Sequence, residues 1–172
     1  TNNFKGDKMI NITNANIENI KHINDIYNIA VKNLNATMDI KEKPLEEQKK
    51  WFKEHKENNL SVIVAEIENK IVGWASLSKW SHKEGYKYTV ENSIYVDNNY
   101  RGKGIGTKLL ERLIVEAKNN NYKNLIAQIA EGNKSSVKLH KKYGFKSVGT
   151  LKKVGYKFNR LHDISIYQLE VR

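Results

Sequence analysis

Residues 95–110 read YVDNNYRGKGIGTKLL, an apolar run followed by three glycines at alternate positions and then by a regular apolar repeat. The chain has ten glycines among its 172 residues, so this concentration is unusual. A strand, a glycine-rich turn and a helix in this order leave backbone N–H groups exposed at the helix start, where the helix dipole adds about half a positive charge. The segment therefore predicts a site for an anionic ligand, with a phosphate as the leading candidate.

Two familiar nucleotide motifs do not fit these glycines. A Walker A loop counted from Gly102 would need glycine where Thr107 stands. A Rossmann fingerprint would need glycine at the same place and an acidic residue in the next strand, where the sequence has Gln128. On these residues alone, a flexible turn with ordinary helix capping is the alternative.

The composition predicts a single cytoplasmic domain. A chain of 172 residues that is 39% hydrophobic can bury one sizeable core. Because it has no cysteine, it has neither disulfides nor thiolate metal ligands, and a reducing compartment is favoured. We expect one domain over residues 9–172 and no metal. We expect residues 1–8 to be a remnant of the expression vector or a disordered lead-in.

The net charge of +11 leaves several partners to consider. Such a charge is compatible with nucleic-acid binding, with attraction to a membrane surface, or with a lysine-rich composition that has no specific role. The lysines are scattered along the chain and form no dense basic arm. We therefore expect neither a nucleic-acid nor a membrane partner, and an anionic small ligand fits the charge equally well.

Hydrophobic periodicity predicts a mixed α/β fold. The predicted strands are MINITNA, LSVIVAEI, KIVGWASLS, YKYTVENSIYV, NLIAQIA and LHDISIYQLEV, and the predicted helices cover residues 17–34, the segment after Pro44, the segment after the glycines, and NKSSVKLHKKYG. The order is strand, two helices, three strands, helix, strand, helix, and one or two strands. This order predicts a sheet with an antiparallel part and a crossover around the glycine-led helix.

A resemblance to a known family adds to this interpretation. YRGKGIGTKLL resembles the coenzyme A pyrophosphate loop of the GNAT acetyltransferases, whose pattern Arg/Gln-x-x-Gly-x-Gly/Ala is filled by Arg101, Gly104 and Gly106. The resemblance covers residues 10–171 and includes Asn133, which matches a family asparagine. Within the family, YTVENSIYV and GYKFNRLHDISIYQLE are similar to segments of the phosphinothricin and methionine sulfone acetyltransferases.

The resemblance implies a fold, a cosubstrate and an assembly. The fold would be that of the acyl-CoA N-acyltransferases, a central mixed and mostly antiparallel sheet flanked by about four helices. The chain would form a homodimer and use acetyl-CoA. The coenzyme would contact Ile94, Tyr95, Val96, Arg101, Gly102, Lys103, Gly104, Ile105, Gly106, Thr107, Asn133, Ser136 and His140.

Acetylation of an amine requires a base, because an amine with a pKa near 10 is protonated at neutral pH. Strict alternation in YKYTVENSIYV places Glu91 on the same strand face as Ser93 and Tyr95. The plain interpretation of Glu91 is a charge on a solvated sheet face. The resemblance instead implies that Glu91 is the general base, and partial burial would raise its pKa towards a useful range.

Two further groups complete the predicted chemistry. A strand that splays from its neighbour frees backbone N–H groups, and we predict that the Val96 amide stabilises the oxyanion. His140 stands where many family members have tyrosine, and it could protonate the leaving thiolate or only bond the coenzyme. An ordinary histidine on the helix surface is the alternative. His162 and Asp163 match a family His-Asp pair, for which we expect a structural or substrate-rim role.

The resemblance implies a small amino acid or analogue as the amine substrate. Phosphinothricin acetyltransferases have arginines where this chain has Lys41 and, roughly, Lys83. Because lysine lacks the planar fork of arginine, these two positions cannot give the bidentate recognition of a phosphinate or carboxylate that arginine gives. The predicted substrate residues are Thr37, Lys41, Lys83, Glu84, Gly85, Tyr86 and Glu91.

The predicted reaction is direct transfer of acetyl from acetyl-CoA to a primary amine, without a covalent enzyme intermediate. Acetylation of protein N-termini or polyamines is an alternative, although it needs a longer or more acidic groove than these lysines indicate. A non-catalytic basic module that binds coenzyme A or nucleic acid is the other alternative, and only the positive charge favours it.

Overall fold

The computed structural model describes residues 8–172, so the expectation for residues 1–7 lies outside the described part of the chain. The strands are β1 (Asn11–Asn14), β2 (Val62–Ile67), β3 (Lys70–Lys79), β4 (Thr89–Val96), β5 (Asn124–Ala130), β6 (Lys146–Lys157) and β7 (Arg160–Glu170). The helices are α1 (Ile20–Asn33), α2 (Leu45–Glu57), α3 (Ile105–Asn119) and α4 (Lys134–Lys142), with short 3₁₀ turns at Ile17–Asn19, Glu84–Tyr86 and Asn98–Tyr100.

The strands form one sheet in the order β1-β2-β3-β4-β5-β7-β6. All neighbours are antiparallel except β4 and β5, which are parallel and are joined by the crossover helix α3. The predicted fold class is therefore confirmed, including the crossover around the glycine-led helix. The open question about the end of the chain is settled as two strands, because β6 and β7 form a long hairpin.

Helices cover both faces of the sheet. On one face, α3 buries its apolar stripe with Leu109, Leu110 and Leu113 fully inaccessible. On the other face, α1 and α2 pack against the sheet through a second core that includes Ile23 and Phe52. The periodicity that predicted these helices is therefore the periodicity of their buried faces.

A gap between β4 and β5 is the feature that positions the site. The two strands are paired only from Thr89↔Asn124 to Glu91↔Ile126. Beyond that point β4 stays with β3, and β5 stays with β7. The central sheet is therefore split into two wings, and the cleft between them opens beside the amino-terminal end of α3.

Candidate active site

A cavity of about 530 Å³ fills the cleft between the two wings. The glycine loop, the end of β4, the end of β5, α4 and the loop after α1 form its walls. Of the predicted coenzyme contacts, all but Lys103 line this cavity. The structure also brings Thr37 and Glu91, two of the predicted substrate residues, to the same cavity.

The glycine loop presents backbone N–H groups to the cavity. Gly102 and Gly104 have φ angles of 75° and 81°, in the left-handed region that favours glycine. Within the described part of the chain, the N–H groups of residues 101–107 have no protein acceptor, and the first helical bond of α3 runs from Lys108 N–H to Gly104 O at 3.1 Å. Consecutive free amides at a helix start are suited to bind an anion, and the phosphate ligand expected from the sequence stays a prediction.

The edge of β4 that faces the gap offers further free backbone groups. The Asp97 N–H donates to Val72 O of β3 at 2.8 Å. Because backbone groups alternate between the two edges of a strand, Tyr95 and Ser93 also direct theirs towards β3. Ile94 and Val96 therefore turn their N–H and C=O groups towards the gap. Because the pairing with β5 has ended at Glu91, these groups can accept an extended ligand as an added strand.

Glu91 lies where the two wings separate. Its side chain is half-buried, and burial raises the pKa of its carboxyl group. Gln128 on β5 donates from Nε2 to both carboxylate oxygens at 3.3 Å, which opposes that rise in pKa. A carboxylate with a raised pKa that faces an open cleft is suited to accept a proton near neutral pH.

His140 is buried on the opposite wall of the cleft. Asn92 Nδ2 donates to its Nε2 at 3.0 Å, and its Nδ1 donates to Ser136 O at 2.7 Å. This pattern corresponds to a neutral imidazole with the proton on Nδ1. Burial also lowers the pKa of His140, which favours the neutral form. Of the three alternatives for this residue, an ordinary surface histidine is wrong, because only 4% of His140 is exposed.

The comparisons with known proteins agree with this geometry. The model of the Acetyltransferase (GNAT) family matches residues 23–145. This chain belongs to that family. The GNAT fold and its acetyltransferase chemistry therefore account for the split sheet, the glycine loop and the shared cavity.

Named relatives are similar over nearly the whole chain. The L-methionine sulfoximine/L-methionine sulfone acetyltransferase of Pseudomonas aeruginosa is 34% identical over 161 residues, which is 93% of this chain and 94% of the relative. A phosphinothricin acetyltransferase from Sinorhizobium meliloti, solved in complex with acetyl-CoA, has a TM-score of 0.92 at 29% identity and covers 94% of this chain and 88% of its own. A ribosomal-protein-alanine N-acetyltransferase from Brucella melitensis has a TM-score of 0.91 at 38% identity, with coverages of 93% and 99%.

The remaining predicted substrate residues lie away from the cavity of this GNAT chain. Lys41 is exposed in the loop before α2, and residues 83–86 form an exposed segment around a 3₁₀ turn. None of them is among the cavity-lining residues. Their role at the substrate rim stays a prediction.

His162 and Asp163 have structural contacts in the β6–β7 hairpin. The buried His162 donates from Nε2 to Lys157 O at 2.9 Å. Asp163 accepts from Lys153 N–H at 2.8 Å and from Lys152 Nζ at 3.2 Å. These bonds favour the structural alternative for the pair.

Several cavity residues were missed by the sequence reasoning. Among them are Asn35, Met38, Asn92 and Gln128. The signal for Gln128 was present, because it is the one polar residue inside the apolar stretch LIAQIA. Asn35 and Met38 stand in a loop without periodicity, which gives no pattern to detect.

Two absences concern the described residues alone. No helix between residues 8 and 172 is both long and apolar enough to cross a membrane. Within the same range, no group of three or more His, Asp or Glu side chains is arranged to hold a metal ion.

Proposed function

We propose that this chain transfers the acetyl group of acetyl-CoA to the primary amine of a small amino acid or amino acid analogue. The observation that supports this most strongly is a single cavity that joins free amides at one end to a half-buried carboxylate at the other. Named relatives act on methionine sulfoximine, methionine sulfone and phosphinothricin. We further propose that residues 9–172 act as one domain, since the seven strands of the described residues belong to one sheet. Its cytoplasmic location stays a prediction.

Acetyl-CoA supplies an activated acetyl thioester. The amides of residues 101–107 would hold its diphosphate, with Arg101 adding positive charge at the same end of the cavity. The free backbone groups of Ile94 and Val96 would hold the pantetheine arm in an extended form, as in strand addition. Asn133 and Ser136 line the cavity opposite and would contact the same arm.

The oxyanion donor must lie close to the base, because the amine bridges the two groups. Along a strand the rise is about 3.3 Å per residue. Val96 is therefore about 17 Å along β4 from Glu91, whereas Ile94 is about 10 Å away. We favour the Ile94 N–H as the donor to the thioester oxygen, with the Val96 N–H bonding the pantetheine arm, in place of the role predicted for Val96.

Glu91 would act as the general base. Its carboxylate would accept a proton from the substrate ammonium, and the neutral amine would then attack the thioester carbon. The C–S bond would break, coenzyme A would leave as a thiolate, and the remaining excess proton on the acylated nitrogen would pass to that thiolate, which gives the amide and free thiol. Gln128 holds both carboxylate oxygens and so fixes the direction in which Glu91 accepts that proton. His140 donates its Nδ1 proton to Ser136 O and accepts from Asn92 at Nε2, which opposes the role of acid. Because His140 lines the cavity, a packing contact with the coenzyme stays a prediction.

A second candidate function has one observation in its favour. The ribosomal-protein-alanine N-acetyltransferase has the same fold at 38% identity, and its name describes N-acetylation of an alanine of a ribosomal protein. A protein N-terminus needs an open groove for the following residues. The cavity described here is bounded by the loop after α1, which favours a small acceptor.

The deciding experiment measures the release of free thiol from acetyl-CoA in the presence of an amine panel. The panel contains methionine sulfone, methionine sulfoximine, phosphinothricin, common amino acids, spermidine and an alanine-terminated peptide. We expect thiol release with at least one small amino acid or analogue and not with the peptide or spermidine. Thiol release with the peptide alone would favour the second function, and DNA binding without any turnover would contradict both.

Replacement of Gly104 tests the coenzyme site. Alanine at a φ of 81° costs about 1–2 kcal/mol and displaces the loop amides. We expect Gly104→Ala to weaken acetyl-CoA binding by about tenfold in calorimetry, since about 1.4 kcal/mol corresponds to that factor. Gly144→Ala is the matched control, because Gly144 has a φ of 89° at the end of α4, outside the loop. Equal weakening in both variants would contradict the assignment.

Replacement of Glu91 tests the base. We expect Glu91→Gln to lower kcat by about 10²- to 10³-fold and to leave acetyl-CoA affinity unchanged. The matched control is Glu66→Gln, the same change on β2. Near-normal turnover in Glu91→Gln would remove Glu91 from the role.

The pH dependence of the same variants separates Glu91 from His140. A base works deprotonated, so kcat/KM should rise with pH through the raised pKa of Glu91, and Glu91→Gln should lose this limb. An acid works protonated, so catalysis by His140 would make kcat fall as pH rises through the lowered pKa of His140. We expect no such fall.

We also propose that the chain forms a homodimer through the β6–β7 hairpin. β6 is an edge strand of the sheet. Large apolar side chains are exposed along the hairpin, namely Val148, Leu151, Val154, Tyr156, Phe158 and Leu161. An exposed apolar patch on an edge strand is typical of a protein interface. A second copy of the chain would bury this patch, in agreement with the homodimer that the resemblance implies.

Sedimentation equilibrium tests the dimer. We expect a dimer for the unaltered chain and a monomer for a variant with Val148→Lys and Val154→Lys, because lysine on the patch opposes burial. Val115→Lys, an equally exposed valine on α3, should leave the mass unchanged. A monomeric unaltered chain would contradict the proposal.

A further inference from the structure

Lys157, the last residue of β6, is buried beneath the loop that follows α1. Only 3% of the residue is exposed. Its Nζ donates to Leu34 O at 2.6 Å, to Thr37 O at 2.9 Å and to Ala30 O at 3.4 Å. Three backbone carbonyls thus surround an ammonium group that has three protons to donate.

This arrangement compensates a buried cation without any carboxylate in direct contact. Ala30 belongs to the last turn of α1, where the helix dipole is negative, and its carbonyl also accepts from the Leu34 N–H at 3.0 Å. Leu34 and Thr37 belong to the loop that continues from it. The ammonium of Lys157 therefore joins the end of α1 to the first residues of the loop.

The same loop lines the cavity. Asn35, Thr37 and Met38 are among the lining residues. The Thr37 hydroxyl bonds the Tyr27 hydroxyl at 3.2 Å and accepts from Asp39 N–H at 3.1 Å. The position of the Thr37 backbone, which Lys157 holds, therefore determines where the polar groups of this wall stand.

A second, independent contact ties the hairpin to the loop. A Cβ added to Gly155 would lie 2.5 Å from Met38 Sδ and 3.3 Å from Met38 Cγ. The absence of a side chain at Gly155 therefore leaves room for Met38 as it stands. Two residues of β6 therefore contact two neighbouring residues of the cavity wall. Lys157 bonds the backbone of Thr37, and Gly155 leaves room for the side chain of Met38.

We propose that Lys157 is a positioning residue that sets the amine-binding wall of the cavity, and that Gly155 supports the same wall through Met38. This inference rests on the proposed function, since it assigns the wall to the amine rather than to the coenzyme. The glycine loop and the free edge of β4, which would hold the coenzyme, lie on other walls and have no bond to Lys157.

The test compares Lys157→Met with Lys152→Met. Methionine keeps an unbranched stem but donates no hydrogen bond, so the three carbonyls lose their common partner. We expect Lys157→Met to raise KM for the best amine by about tenfold or more and to leave the acetyl-CoA Kd within about twofold. Lys152→Met is the matched control, because Lys152 lies on the same strand with its side chain 75% exposed. It should change neither constant.

Gly155→Ala tests the wall from its other contact and keeps the inference falsifiable if Lys157→Met fails to fold. The added methyl group must displace Met38, so the KM for the amine should rise here too. Adding Met38→Ala to Gly155→Ala removes the atoms in conflict and should recover part of the lost amine affinity. A merely structural role for Gly155 would lower the midpoint of thermal unfolding without this split between amine KM and coenzyme Kd.

The outcomes separate the inference from the function on which it rests. If the unaltered chain releases no thiol with any amine, the proposed function fails. If the unaltered chain is active while folded Lys157→Met and Gly155→Ala keep normal amine KM values, only the inference is overturned. A parallel loss of coenzyme affinity in both variants would also overturn it, because the wall would then serve the coenzyme.

Discussion

The end of the parallel pairing at Glu91↔Ile126 is the constraint on which the site depends. Backbone N–H and C=O groups in the middle of a sheet are normally paired with a neighbouring strand. Here β4 continues for five residues past that point with its partner withdrawn, and the unpaired groups of Ile94 and Val96 face the cleft. The same separation makes room for a ligand and places Glu91 at the inner end of that room. The loss of pairing between β4 and β5 thus exposes the backbone edge that can bind a ligand, and it also places the proposed base beside that edge.

The glycine loop extends this supply of unpaired amides beyond the strand. β4 ends at Val96, a short 3₁₀ turn follows, and α3 begins at Ile105. Because Gly102 and Gly104 take left-handed conformations, the amides of residues 101–107 turn away from acceptors in the described part of the protein. The free groups of the strand edge and of the helix start line one cavity. A long ligand with an extended arm and an anionic head matches that distribution.

The sequence predicted those features of the site that depend on residues close together in the chain, and it did not predict those that depend on residues far apart. The glycine spacing and the face on which Glu91 lies follow from neighbours within a few residues, so local periodicity was sufficient. Lys157 bonds carbonyl groups more than a hundred residues earlier in the chain, and nothing near GYKF indicates that contact. The resemblance also implied a rim role for Lys41 and, roughly, Lys83, which match family arginines, and we added residues 84–86 as the rest of the same loop. The fold puts these exposed segments outside the cavity lining, a matter of loop paths that periodicity does not encode.

The two ends of the cavity have opposite electrostatic requirements. An anion needs positive potential, whereas a general base needs a raised pKa, which a nearby cation would lower. Among the described residues that line the cavity, Arg101 is the only arginine or lysine and Glu91 the only carboxylate. The five residue steps of β4 from Glu91 to Val96 alone correspond to about 17 Å, more than the screening length of about 8–10 Å at roughly physiological ionic strength. Burial is accordingly the main influence on the pKa of Glu91, and no cation contributes to it. Because the unpaired part of β4 separates the two ends of the cavity, the positive end can bind a diphosphate while the pKa of Glu91 at the other end stays raised.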